Sequence, residues 1–214
     1  CTKNYKLHGD EQVDGSMNST RARRSARILF GLYALLALPA YGGEPDVTWD
    51  ERSRALADQL MSELKSELGR ALQQGGPVAA VAVCKSRAPE IAARLSASSG
   101  ADVSRTAIRW RNPANAPDDL ERAVMQSFAA ELLSASPAAA AQPEAIIESR
   151  SARGTERRYL RAIVMQPVCL ACHGATLAPE IATAIARDYP QDAATGFETG
   201  QLRGAVTVRW PVTR

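Results

Sequence analysis

The stretch Cys169-Leu170-Ala171-Cys172-His173 constrains this chain more than any other. It reads Cys-x-x-Cys-His, the spacing by which haem c is attached. Two thiols add across the two vinyl groups of one porphyrin, and the adjacent histidine offers an axial nitrogen to the iron. The two-residue spacer lets both sulfurs reach one edge of the ring. A chain that carries one covalent haem this way must wrap a cavity wide enough for a flat ligand. The same residues also admit a lone disulfide, a thioredoxin-like thiol–disulfide pair or half of a zinc site. No thioredoxin-like unit precedes the motif. A zinc set of Cys84, Cys169, Cys172 and His173 has the right number of donors, but consecutive Cys172 and His173 would have to reach one tetrahedral ion, which is awkward.

The start of the chain bears on the same question. Arg21, Arg23, Arg24 and Arg27 form a positive flank, Ile28 to Ala40 is a short apolar run, and Ala40-Tyr41-Gly42 puts small residues at a cleavage site. This pattern reads as a secretory signal peptide over residues 17–42, cleaved near Gly42, with residues 1–16 as upstream or non-native sequence and 43–214 as the haem-binding domain. The apolar run is too short to span a bilayer comfortably. Of 26 Lys/Arg and 23 Asp/Glu, six and three lie in residues 1–42, so the remainder balance at 20 each. The positive excess belongs to the leader, and nothing supports a nucleic-acid partner, which needs a basic patch. Export fits covalent haem attachment, which takes place outside the bacterial cytoplasmic membrane, and the expected location is periplasmic. Cleavage would leave His173 as the one histidine and Cys84 as the one cysteine outside the motif.

From Trp49 to Gln74, Leu56, Leu60, Leu64, Leu68 and Leu72 recur every four residues, with Met61 beside them. That stripe predicts an N-terminal amphipathic helix with a core face, ended by Gly75-Gly76-Pro77. A homodimer or partner contact is the alternative use of such a face. Val78 to Cys84 is small and apolar and reads as helix; Pro89 opens a further helical turn, and Ser96 to Gly100 reads as a loop. Val103 to Arg111 alternates as a strand, with Thr106, Ile108 and Trp110 on one face and Ala107, Arg109 and Arg111 on the other. Asp118 or Asp119 caps a helix running to about Leu133. Ser134 to Pro143 reads as a loop. Strands follow near Ala145–Ser149 and Arg157–Met165, with a turn at Arg153-Gly154. Pro179 opens a helix ending near Tyr189-Pro190, and Arg203 to Trp210 forms a last strand. Strand content exceeds that of a small all-helical cytochrome c.

The second axial ligand is open on the residues alone. Met61, Met125 and Met165 are available, although Met165 lies only four residues before Cys169 and the other two sit on helices that favour a core role. Cys84 is an orphan thiol in an exported chain, where an unpaired thiol is liable to oxidation unless it is buried or bound to metal.

Several stretches together resemble a family of exported single-haem domains: Val83-Cys84; Ala88-Pro89-Glu90-Ile91-Ala92; Arg109 to Pro117 with Glu121; Cys169 to Gly174; Pro179-Glu180-Ile181; Tyr189-Pro190; Ala194-Thr195-Gly196; and Arg203-Gly204-Ala205. That family includes a soluble cyanobacterial c-type haem protein and extracytoplasmic sensor regions of histidine kinases and cyclic-nucleotide signalling enzymes. The resemblance runs from about residue 50 to residue 210. It implies an α+β fold, a PAS-like antiparallel sheet with flanking helices, and haem c with His/Cys axial ligation by His173 and Cys84. Gln201 stands where the family often has an acidic residue.

Two strong protein ligands leave the iron no open position for substrate, so the expectation is a non-enzyme. The first reading is a periplasmic redox or small-gas sensor module responding to CO or NO. A low-potential monohaem electron carrier is the alternative, and a thiol–disulfide or zinc protein using Cys169 and Cys172 is the second alternative. No kinase or cyclase output region is read in these residues, so a sensor would act through a separate redox or signalling protein partner. At least one of Arg109, Arg111 and Arg203 is expected beside a haem propionate, since carboxylates favour charge-assisted guanidinium contacts; the alternative is that all three are solvated strand-edge charges. Replacing Cys169 and Cys172 together by Ala is expected to abolish covalent haem. Haem staining of the denatured chain checks this, and retained stain would refute the attachment.

Overall fold

The computed structural model describes residues 3–6, 47–134, 142–152 and 154–213. The chain divides into two units, Cys1–Leu7 with Thr48–Arg214, and His8–Val47. Of the second unit only Val47 is described. The expected signal peptide over 17–42 and most of the expected loop after Ser134 therefore lie outside the described residues. No helix among the described residues is long and apolar enough to cross a membrane.

Helix α1 spans Trp49–Ser99. It starts where it does because Thr48 and Glu51 form a capping box: the Thr48 hydroxyl accepts from the Glu51 N–H, and the Glu51 carboxylate accepts from the Thr48 N–H at 2.9 Å. Gly76 kinks it, with φ 67° and ψ −167°, a conformation open to glycine and followed directly by Pro77, whose missing N–H and fixed φ suit a restart. From Pro77 the helix runs unbroken to Ser99 and closes on left-handed Gly100. Pro89 therefore does not open a new helix, and Ser96–Ser99 is not a loop. Both Lys85 and Pro89 are exposed, so the carbonyl released by the missing Pro89 N–H is solvated.

Strand β2 spans Asp102–Thr106 and is shorter than the alternation over 103–111 suggests. The Ala107 N–H donates to the Asn115 carbonyl at 3.0 Å instead of to the sheet, and a 3₁₀ turn over Pro113–Asn115 follows. Arg109 and Arg111 thus share no strand face. Helix α2 spans Asp119–Ser134, with Asp118 accepting from the Glu121 N–H at 2.8 Å as its cap. Strands β3 (Glu144–Ser151) and β4 (Gly154–Val164) form a hairpin. A short helix α3 (Leu170–His173), helix α4 (Pro179–Asp188) and strand β5 (Leu202–Thr213) complete the order. A four-residue strand β1, Lys3–Lys6, lies parallel along β3.

The sheet order is β1-β3-β4-β5-β2, with β2, β3, β4 and β5 paired antiparallel. Helices flank it, an α+β, PAS-like arrangement. On one face, Leu60, Ile91 and Leu95 of α1 pack on Val103, Tyr159, Val206 and Val208. On the other, Val124, Met125 and Phe128 of α2 pack on Ala145, Ile147, Leu160, Ala162 and Ala205. Beyond β4, Met165 exchanges two bonds of 2.9 Å with Gln201 and Gly200. The whole Cys-x-x-Cys-His segment is thereby an excursion between two adjacent strands, pinched at its base.

The leucine ladder of α1 divides between two tasks. Leu60 is fully buried against the sheet, whereas Leu64, Leu68 and Leu72 line a cavity. Leu60→Ala is expected to cost about 2–5 kcal/mol of stability, and Leu72→Ala only about 1 kcal/mol. Urea unfolding of the two variants side by side checks the division; equal losses would refute it.

Candidate functional site

The cavity lies between the lower half of α1, the ends of β2, β4 and β5, and the excursion that carries α3. About 1020 Å³ of space lies among its lining residues, the open solvent at its mouth included. Its wall is mostly apolar. Cys84, Cys169, Cys172 and His173 all line it, so two segments far apart in sequence meet around one space. The three cysteines are free thiols. Cys169 is rooted against Met165, Ala194 and Phe197, and Cys172 against the cluster that joins Val81 of α1 to Ile181 and Ile185 of α4. Burial pushes the Cys172 thiol pKa up.

His173 is held in one tautomer. Its Nδ1 lies 2.6 Å from the Ala194 carbonyl, which can only accept, so Nδ1 carries the proton and the lone pair is left on Nε2. Burial, with Arg203 and Arg111 nearby, pushes its pKa down to about 3, so the ring is a neutral donor. The residue after it adds to the fit. A Cβ on Gly174 would come within 2.7 Å of the Leu170 carbonyl oxygen, the acceptor that closes the short helix through the Gly174 N–H.

Residues 192–197 hold this segment from behind. The Phe197 N–H donates to the His173 carbonyl and the Gly196 N–H to the Gly174 carbonyl, both at 2.9 Å. Arg111 ties the pieces together. It donates Nε to Asp192 at 3.0 Å and Nη2 to the Cys172 carbonyl at 2.6 Å and to the Ala194 carbonyl at 3.3 Å. Its side chain and that of Asp192 are 7% and 9% exposed. Arg109, on the surface, donates to the carbonyls of Ala193 and Thr195 and lies over the Phe197 ring at 4.1 Å. The structure thus gives Arg109 and Arg111 protein partners, and both position the loop that orients His173.

The methionines separate. Met125 is buried in the α2 cluster on the other face of the sheet, away from the cavity, while Met61 and Met165 line the cavity. Sequence reasoning missed Arg105, which lines the cavity from β2. The available signal was a charge between Val103 and Ala107 on an otherwise apolar strand face. It also missed the wall at Gly204, where a Cβ would lie 2.5 Å from the Thr106 carbonyl oxygen and 3.1 Å from the Ala107 Cβ.

The donor set discriminates between ligands. Among the described residues no three His, Cys, Asp or Glu side chains gather closely enough to hold one ion. Cys84, Cys169, Cys172 and His173 therefore do not assemble a tetrahedral zinc centre. Donors spread around an apolar cavity suit a wide flat group that brings its own metal, and of the three cationic side chains in the wall, Arg105, Arg111 and Arg203, the two that are not paired with a carboxylate, Arg105 and Arg203, suit a group that also carries anions. The residues fit haem.

Residues 43–211 match the model of the Tll0287-like domain. Among solved structures, the cyanobacterial haem protein Tll0287 superposes with a TM-score of 0.53 at 26% identity, over 78% of this chain and 98% of that one. No curated protein matches the chain. Arg111→Met is expected to lower stability by about 3–5 kcal/mol, because it strands the Asp192 carboxylate in the interior. Arg109→Met should cost about 1 kcal/mol. Urea unfolding of the two checks the ranking, and a mild Arg111 variant would refute the role of the pair.

Proposed function

From the premise that the chain belongs to the Tll0287-like family, we propose that it is an exported haem c protein acting as a redox or small-gas sensor module. The observation that carries this reading is the state of His173: a neutral imidazole with Nδ1 fixed on Ala194 and Nε2 left as donor, on the wall that also holds both motif thiols and Cys84. Haem binding has the support of the family and of a solved haem protein as relative. Covalent attachment by Cys169 and Cys172 and ligation by His173 and Cys84 are the finer parts of the proposal. When bound, the group supplies one iron centre that changes by a single electron and takes small diatomic ligands.

The chain's own residues assign unequal tasks to the two axial candidates. His173 is fixed by a hydrogen bond, by the Phe197 N–H on its carbonyl and by the loop that Arg111 ties. Cys84 stands on a helix with no hydrogen bond holding its sulfur among the described residues. A fixed ligand paired with a releasable one is the arrangement a sensor needs. His173 would hold the iron in either oxidation state, and Cys84, an anionic donor whose sulfur nothing else among the described residues holds, would be the ligand released on reduction or to CO or NO. The reporting partner would be a redox or signalling protein in the periplasm.

A low-potential electron carrier is the second reading. The observation in its favour is the open rim of the cavity, where Val168, beside Cys169, is 64% exposed. One experiment separates the two: optical spectra of periplasmically matured protein, oxidised, dithionite-reduced and reduced under CO, for the wild type and for Cys84→Ser. The expected wild-type result is a ferric low-spin thiolate spectrum with a coordination change on reduction. Cys84→Ser should keep its covalent haem, lose the thiolate spectrum, gain potential and bind CO faster. A Cys84→Ser spectrum identical to the wild type would remove Cys84 as ligand, leave Met61 as candidate, and favour the carrier.

A further inference from the structure

Two guanidinium groups in the cavity wall have no carboxylate to answer them. Among the described residues, Arg54, Arg111, Arg157, Arg158, Arg161 and Arg209 are the other arginines not fully exposed to solvent, and each is paired with an Asp or Glu. Arg105 and Arg203 break that pattern, and both line the cavity. Arg203 donates Nη1 only to the Arg109 carbonyl, at 3.1 Å, and lies over Phe197 at 5.6 Å. Arg105 has no hydrogen-bond or ion-pair partner among the described residues.

Two such half-buried cations on one apolar wall are unfavourable as they stand, because each loses part of its hydration, the two repel one another, and neither has a carboxylate in contact. Burial pushes the Arg105 pKa down, and burial with the neighbouring Arg111 and Arg105 charges draws that of Arg203 down to about 10. Arg111 cannot relieve this, since its guanidinium is committed to Asp192 and two carbonyls.

We propose that Arg105 and Arg203 form the seat for the two carboxylates of the haem, the anions that complete this wall. The proposal rests on the haem reading above. Charge balance supports it: ferric iron, the porphyrin dianion and a Cys84 thiolate sum to zero, the two carboxylates add two negative charges, and the two guanidinium groups cancel them. A neutral assembly is what a low-dielectric cavity favours. Arg105 reaches the cavity from β2 and Arg203 from the start of β5, so the seat is built on the rigid sheet rather than on the excursion that carries His173.

The test uses matured holoprotein in four versions, Arg105→Gln, Arg203→Gln, Arg105→Lys and Arg203→Lys, beside the wild type. Covalent haem content should stay at the wild-type level, because attachment belongs to Cys169 and Cys172. The midpoint potential should fall in each Gln variant, since loss of a nearby positive charge favours ferric iron, and should stay near the wild-type value in the Lys variants. The propionate bending band in resonance Raman spectra should shift in the Gln variants alone. Unchanged potential and bands in both Gln variants would overturn the proposal, as would Lys variants that fall as far as their Gln counterparts, which would mark a purely structural role. Should a variant fail to mature, the wild-type holo crystal structure decides: the proposal requires a guanidinium of Arg105 or Arg203 within hydrogen-bond distance of a propionate oxygen. Haem present with both arginines turned elsewhere overturns this inference alone, and a wild-type chain that matures without haem overturns the haem reading with it.

Discussion

One buried ion pair, Arg111 with Asp192, carries the architecture of the site. The excursion between β4 and β5 holds the Cys-x-x-Cys-His motif in a 3₁₀ turn and a four-residue helix, elements too short to be stable alone. Their backbone groups need partners from elsewhere. Arg111 supplies three at once: a counter-charge that fixes Asp192, and donors to the carbonyls of Cys172 and Ala194. Ala194 is the residue whose carbonyl sets the His173 tautomer. The chemical state of the imidazole is therefore decided by a guanidinium that belongs to a different part of the chain. In a low-dielectric setting such a pair is costly to break, and the orientation of His173 is correspondingly well determined.

The scaffold around this point divides labour between rigid and adaptable parts. The sheet contributes Gly204, Arg105 and Arg203, held by ladder hydrogen bonds and by cores on both faces. The excursion contributes Cys169, Cys172 and His173, held by side-chain donors and a pinch at Met165. Helix α1 contributes Cys84 from the segment beyond its Gly76 kink, which packs on α4 through Val81. The two proposed axial ligands thus come from different elements, α1 and α3, which meet at the cluster of Val81, Ile181 and Ile185 against which Cys172 packs.

Haem binding was legible in the sequence, and the supports of the candidate site were not. Cys-x-x-Cys-His is local, so its meaning survives without a structure. Asp118 as a cap, Pro179 as a helix start and the β3–β4 hairpin are also local signals and were read correctly. The end of β2 was misread because it depends on the Ala107 N–H finding the Asn115 carbonyl, an event that strand alternation does not register. That misreading put Arg109 and Arg111 on a strand face, when the chain has left the sheet and both side chains turn to residues more than eighty positions away. Arg105 was passed over because an arginine between small apolar residues reads as an exposed charge until the cavity in front of it is known. The helix runs through Pro89, because Lys85, whose carbonyl loses its partner, lies on the exposed side of the helix.

The leucine ladder of α1 has a geometric consequence. A repeat of four on a helix of 3.6 residues per turn advances about 40° at each step. Over five leucines the stripe winds by roughly 160° around the helix axis, so it cannot face one partner along its whole length. Leu56 and Leu60 meet the sheet, and Leu64, Leu68 and Leu72 have rotated onto the cavity. The helix behaves as a screw thread that hands a hydrophobic surface from the protein's own interior to its ligand. Inserting one residue after Leu60 would turn the following leucines by about 100°, taking them off the cavity wall.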